Sequence, residues 1–128
     1  KAAMNDYPDE TFAIMRDLDH LFVPVRKIKA KYPDIDSNLE EKWSRIVEEN
    51  VDHQVLLATK KYEDEVKSNK LLVIGIIDDF TNTYNSGEGR TIVVNINNIK
   101  DTEKIKSHIA MDKISKEMKD LFIKRLNK

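Results

Sequence analysis

The longest uninterrupted apolar run in this chain is Leu71–Ile77, which reads Leu-Leu-Val-Ile-Gly-Ile-Ile and stops at the acidic pair Asp78-Asp79. Its short length, its valine and isoleucine content and its polar flanks predict a buried strand rather than a helix. Charged residues make up 35% of the chain, and no other segment offers a comparable run. The fold must therefore be organised around this strand.

A second strand is predicted at residues 91–98. Three apolar side chains alternate along it: Ile92, Val94 and Ile96. The alternation places these three on one buried face, and it leaves Asn95 on a face that is expected to meet water. Because residues 80–90 contain a Gly-Glu-Gly turn sequence, the simplest join is an antiparallel hairpin with the first strand at 71–79.

Helical periodicity fills the rest of the chain, with apolar residues at three- and four-residue spacing before and after the strands. The first helix is expected to kink or break just before Pro24 and to end at Pro33. A second helix begins at the capping sequence Ser37-Asn38-Leu39-Glu40, and its apolar stripe continues to Val66. A last helix begins at Asp101, which is a good N-cap residue.

These elements define an α+β fold with the order α-α-β-β-α. Two N-terminal helices and one C-terminal helix pack on the hairpin of 71–79 and 91–98. A chain of 128 residues fits one domain over its whole length, 1–128.

Composition excludes several classes of function. The chain has no cysteine, so it has no disulfide, no thiolate nucleophile and no cysteine-ligated metal. A net charge of −1 gives no general attraction to nucleic acid, which makes such a partner unlikely even though Arg26–Lys31 is rich in basic residues. The apolar run is much shorter than the roughly 20 residues of a membrane-spanning helix. The location stays open: cytoplasmic, or extracytoplasmic if a signal peptide or anchor precedes Lys1.

Five residues at the end of the first strand and in the following loop could together bind a ligand: Asp78, Asp79, Tyr84, Glu88 and Arg90. Paired carboxylates can bind a divalent cation or share acid and base roles. Adjacent residues of a strand point to opposite faces, however, so the acidic pair cannot easily converge on one atom. The sequence therefore leads us to assign no catalytic residue, no metal and no cofactor.

The first strand is apolar on both faces, whereas its partner strand offers one apolar face only. The first face carries Leu71, Val73 and Ile77, and the second carries Leu72, Ile74 and Ile76. A two-stranded hairpin cannot bury both faces by itself, and an uncovered apolar edge invites pairing with another chain. We therefore expect the second face to be an interface with a protein partner or with a second copy of the chain.

The leading functional prediction is a non-enzymatic protein-interaction module, such as an adaptor, an inhibitor or an extracytoplasmic interaction domain. The alternative is a small metal-dependent hydrolase or nuclease that uses Asp78, Asp79 and the loop 80–90.

Overall fold

The computed structural model describes residues 12–126, and for residues 12–21 it describes the helical backbone only. The chain divides into two compact units, which we call the N-terminal unit (Lys1–Asn50) and the C-terminal unit (Val51–Lys128). The single domain over 1–128 stays a prediction. Among the described residues, no helix is both long and apolar enough to cross a membrane.

The N-terminal unit contains helix α1 at Phe12–Lys31 and the first half of helix α2, which spans Leu39–Lys61. Helix α1 continues through Pro24, so of the kink or break predicted before this proline the break does not occur. The helix ends two residues before Pro33, because a residue that precedes proline avoids the helical conformation. Val25 and Ile28 are the buried apolar residues of its last turns.

The start of α2 lies one residue later than the predicted capping sequence. The side chain of Asn38 accepts a hydrogen bond from the Glu41 amide at 3.1 Å and donates one to the Glu41 carboxylate at 3.3 Å. The Ser37 hydroxyl instead donates to the carbonyl of Asp34 at 2.7 Å. Asn38 and Glu41 therefore take the place of Ser37 and Glu40 at the start of the helix. Only one half of the predicted exchange is present, because Glu41 accepts from the side-chain amide of Asn38 and not from a backbone amide.

The C-terminal unit contains the predicted antiparallel hairpin, which confirms the α+β class. Strand β1 is Ile74–Asp79 and strand β2 is Arg90–Ile96. Gly75 pairs with Asn95, whereas the next residue of β1 pairs with Val93, so β2 carries a bulge at the residue between them. Three short helices complete the chain: α3 at Glu63–Lys67, α4 at Thr102–Lys106 and α5 at Lys116–Phe122.

The predicted C-terminal helix is divided. Asp101 caps α4 as expected, because its side chain accepts a hydrogen bond from the Lys104 amide at 2.9 Å. A 3-10 turn at Ile109–Met111 then interrupts the helical path, and α5 begins at its own cap, Ser115. Two short helices let the chain change direction and bring residue 123 alongside β2, where it bridges Val93.

Two apolar clusters form the core of the C-terminal unit. The first contains Ile96, Ile105, Met111 and Ile123, and the second contains Tyr84, Ile92 and Val94. Ile92, Val94 and Ile96 are each fully buried. The bulge divides them, however, because Ile96 is opposite Ile74 of the outer face, whereas Ile92 is opposite the inward-pointing Ile77. The prediction that all three lie on one face is therefore wrong. Each large apolar side chain buried in this way contributes about 1.5–3 kcal/mol.

Candidate functional site

The acidic pair at the end of β1 is divided between two environments. Asp79 is only 3% exposed, and its two carboxylate oxygens accept hydrogen bonds from the amides of Thr83 and Tyr84 at 2.9 and 2.8 Å. Its carbonyl also accepts a hydrogen bond from the Gly89 amide at 2.8 Å. Asp79 therefore fixes both ends of the hairpin loop. Both oxygens of its carboxylate already accept hydrogen bonds from the loop backbone.

Asp78 lies on the opposite face, where it is exposed and accepts a hydrogen bond from the Thr91 hydroxyl at 2.8 Å. Glu88 and Arg90 are exposed as well. The two aspartates do not converge on one atom, as strand alternation predicts. In the part of the chain that the structure describes, no group of three or more histidine and acidic side chains could hold a metal ion.

Tyr84 belongs to the interior rather than to the loop surface. It is buried against Ile92 and Val94, and its carbonyl accepts a hydrogen bond from the Lys124 ammonium at 3.0 Å. Of the five predicted binding residues, the structure brings Asp79 and Tyr84 together, because the Tyr84 amide donates to the Asp79 carboxylate. The other three lie at the surface.

The strand begins at Ile74, three residues later than predicted. The side chains predicted to form an interface are Ile74 and Ile76 of the strand and Leu72 just before it, and we call these three the outer face of β1. They are 39%, 42% and 49% exposed. Phe80, directly after the strand, is 75% exposed and was not among the predicted interface residues. Gly75 and Ile77 point inward, where an added Cβ at Gly75 would lie 2.7 Å from Val51 on α2. Helix α2 therefore covers the inner face only.

The outer edge of β1 has no neighbouring strand among the residues described here. The carbonyls of Val73 and Asp79 accept hydrogen bonds from Asn97 and Gly89 on the side of β2. Since backbone groups alternate in direction along a strand, those of Ile74, Ile76 and Asp78 point away from β2. The exposed apolar side chains and the unpaired backbone groups thus belong to the same residues.

A buried charged network in the C-terminal unit was not predicted. Asp52 is only 2% exposed, and Arg125 donates to both of its carboxylate oxygens at 3.0 and 2.8 Å. Asn95 donates to it at 2.6 Å, and the Lys100 ammonium lies 3.0 Å away. Arg125 also donates to the Val94 carbonyl at 2.8 Å, which ties the end of the chain to β2. The prediction that Asn95 faces water is therefore wrong.

Burial by itself would raise the pKa of Asp52, because it removes water from the charged form. Hydrogen bonds from Arg125 and Asn95, together with the charge of Arg125 and the contact with Lys100, outweigh that effect and hold the pKa below its usual value. Asp52 is therefore ionised, and both of its carboxylate oxygens have hydrogen-bond or ion-pair partners, as expected of a group with a structural role.

The sequence did carry one signal of this network. The buried positions along the middle of α2 are Glu48, Asp52, Val55 and Thr59, at helical spacing of four, three and four residues. The predicted apolar stripe, by contrast, includes Leu39, Trp43, Val47 and Tyr62, which are exposed. Polar residues at helical spacing around a single valine could have marked a buried polar face.

The fold and the site define an α+β class of protein, in which strand β1 of a two-stranded hairpin exposes apolar side chains and one edge. No protein-family model, no curated protein and no solved structure matches this chain.

Proposed function

We propose that this protein is a non-enzymatic protein-binding module that accepts an extended segment of a partner protein along the outer edge of β1. The observation that carries the proposal is the coincidence of unpaired backbone groups and exposed apolar side chains at Ile74 and Ile76. In this mode of recognition, backbone hydrogen bonds supply affinity and alternating side chains supply specificity.

The chemistry of the edge supports a role in binding. Proteins usually protect an exposed edge strand with lysine, proline or inward-pointing charge. The outer positions of β1 carry two isoleucines and a single charged residue, Asp78, and Phe80 follows them. A complementary segment would place apolar side chains beside Ile74 and Ile76, and a basic or hydroxyl side chain beside Asp78.

The proposal is tested by selecting peptides from a random display library on the immobilised protein and measuring their affinity by fluorescence anisotropy. We expect selected peptides to be extended and apolar, and to slow hydrogen exchange at the amides of Ile74, Ile76 and Asp78. Ile76→Lys should weaken their binding at least about tenfold, which corresponds to about 1.4 kcal/mol. Because position 76 is exposed, the substitution leaves the core intact.

Ile109→Lys is the matched control, since Ile109 is also an exposed isoleucine but lies on the 3-10 turn between α4 and α5. This variant should bind the peptides as the wild type does. Peptides that bind Ile76→Lys equally well, or that protect amides elsewhere, would contradict the proposal. Light scattering that shows Ile76-dependent dimers would replace the partner protein with a second copy of this chain.

A further inference from the structure

A second surface of the C-terminal unit is a cleft of about 470 Å³ between the hairpin loop and the C-terminal segment. Its lining includes Thr83, Asn85, Thr102, Lys106, Asp120 and Lys124. The volume lies within the range of roughly 300–1,000 Å³ that small-molecule sites occupy. The cleft is separate from the outer face of β1, because it shares no residue with that face.

Two of the cations around the cleft have acidic partners. The Lys106 ammonium lies 3.0 Å from Glu103 and 2.8 Å from Asp120. Hydrogen bonds with Asp120 and Glu103 raise the pKa of Lys106, so it stays charged. Arg125, which also lines the cleft, is bound to Asp52. These charges are compensated within the unit.

Lys124 differs from Lys106 and Arg125 in the kind of partner that its charged group has. Its ammonium donates hydrogen bonds to the carbonyls of Tyr84 and Asn85, each at 3.0 Å. These partners are neutral, and none of the carboxylates in the described residues forms an ion pair with Lys124. An ammonium group has three donors, so one remains. Lys124 is thus a half-buried cation that two carbonyls hold in place at the wall of the cleft.

We propose that this cleft binds a small organic carboxylate, whose anionic group pairs with the Lys124 ammonium. Among the described residues that line the cleft, Lys124 is the cation without an acidic partner, so a ligand charge of −1 matches it and favours a carboxylate over a dianionic phosphate. The pairing would be a charge-assisted hydrogen bond, which is about twice as strong as a neutral one. Fixing the ammonium before binding reduces the entropy that the complex must lose.

The test is a titration of the ¹⁵N-labelled chain, followed by NMR, with acetate, butyrate and benzoate and with the matching neutral amides. We expect saturable shifts at the amides of Thr83, Asn85 and Lys124 with at least one carboxylate and none with its amide. Rising salt should weaken the binding, since it screens the ion pair. Because carboxylates and amides are compared on the wild-type protein, this titration tests the proposal even if a variant does not fold.

Lys124→Gln removes the charge but retains a donor for the two carbonyls, so it should weaken binding at least tenfold. Lys104→Gln is the control, because Lys104 is an exposed lysine of α4 outside the cleft lining, and it should leave binding unchanged. The proposal is overturned if no carboxylate gives saturable shifts, if an amide binds as well as its carboxylate, or if folded Lys124→Gln binds like the wild type.

Discussion

Arg125 grips Asp52 with two parallel hydrogen bonds, Nη1 to Oδ1 at 3.0 Å and Nη2 to Oδ2 at 2.8 Å, across a sequence separation of 73 residues. The pair joins the final residues of the described chain to helix α2. Asn95 on β2 completes the connection, because it donates to the same carboxylate. One carboxylate therefore links helix, strand and C-terminal segment within the C-terminal unit.

Removing one partner of this pair should destabilise the protein strongly. We expect Arg125→Met to lower the free energy of unfolding by about 3–5 kcal/mol, because it leaves a buried carboxylate without its main partner. Urea unfolding followed by circular dichroism measures the change. Lys67→Met is the control, since Lys67 pairs with Glu63 on the exposed surface of α3, and it should alter stability little. A similar loss in both variants would contradict the structural role of Asp52.

Stability should also depend on pH through Asp52. Its pKa is lower in the folded state than its usual value of 3.8, so the ionised carboxylate stabilises the fold fully at pH values above that figure. This contribution is lost as the pH falls through the folded-state pKa. Urea unfolding at a series of acidic pH values should show a steeper decline for the wild type than for Asp52→Asn, which cannot titrate. Parallel curves would show that Asp52 does not govern the decline.

Gly75 should not tolerate a side chain. A Cβ there would lie 2.7 Å from Val51 and 2.9 Å from Val55, so Gly75→Ala overpacks the contact between β1 and α2. We expect a loss of about 1–3 kcal/mol, measured by thermal unfolding. Adding Val51→Ala makes room for the new methyl group, so the double variant should lose less than the two single losses combined. Strict additivity would argue against this close packing.

The two aspartates of β1 should respond differently to replacement. Asp79→Ala removes both acceptors for the Thr83 and Tyr84 amides, and a hydrogen bond to a charged group contributes about 1.5–3 kcal/mol. We therefore expect a clear fall in unfolding free energy and faster hydrogen exchange at these amides. Asp78→Ala, on the exposed face, should change stability by less than about 0.5 kcal/mol. Equal effects would show that the loop does not depend on Asp79.

Local pattern was enough to predict the hairpin. The run Leu71–Ile77 and the apolar residues Ile92, Val94 and Ile96 marked the two strands, although the bulge in β2 places Ile92 and Ile96 on opposite faces. The α+β class followed from the helical spacing of apolar residues before and after the two strands. The outer face of β1 was also identified as apolar, because its composition exceeds what one hairpin can cover.

Local pattern failed where the partners are distant in sequence. The stripe predicted for α2 was chosen for its apolar residues, yet three of the four buried positions along the middle of that helix are polar, and one of them is Asp52. The reason is that Asn95 and Arg125, which lie 43 and 73 residues further along the chain, supply the hydrogen bonds that make the burial of a carboxylate possible. The spacing of residues within α2 carries no information about those distant partners.

The sequence by itself determined the two strands, the α+β class and the apolar character of the outer face of β1, because each depends on neighbours within a few residues. Only the tertiary structure decided that Asp79 stabilises its own loop, that Tyr84 is buried, and that Lys124 is fixed at the wall of a cleft. Each of those outcomes depends on the direction that one side chain takes once the hairpin, the short helices and the C-terminal segment have packed together.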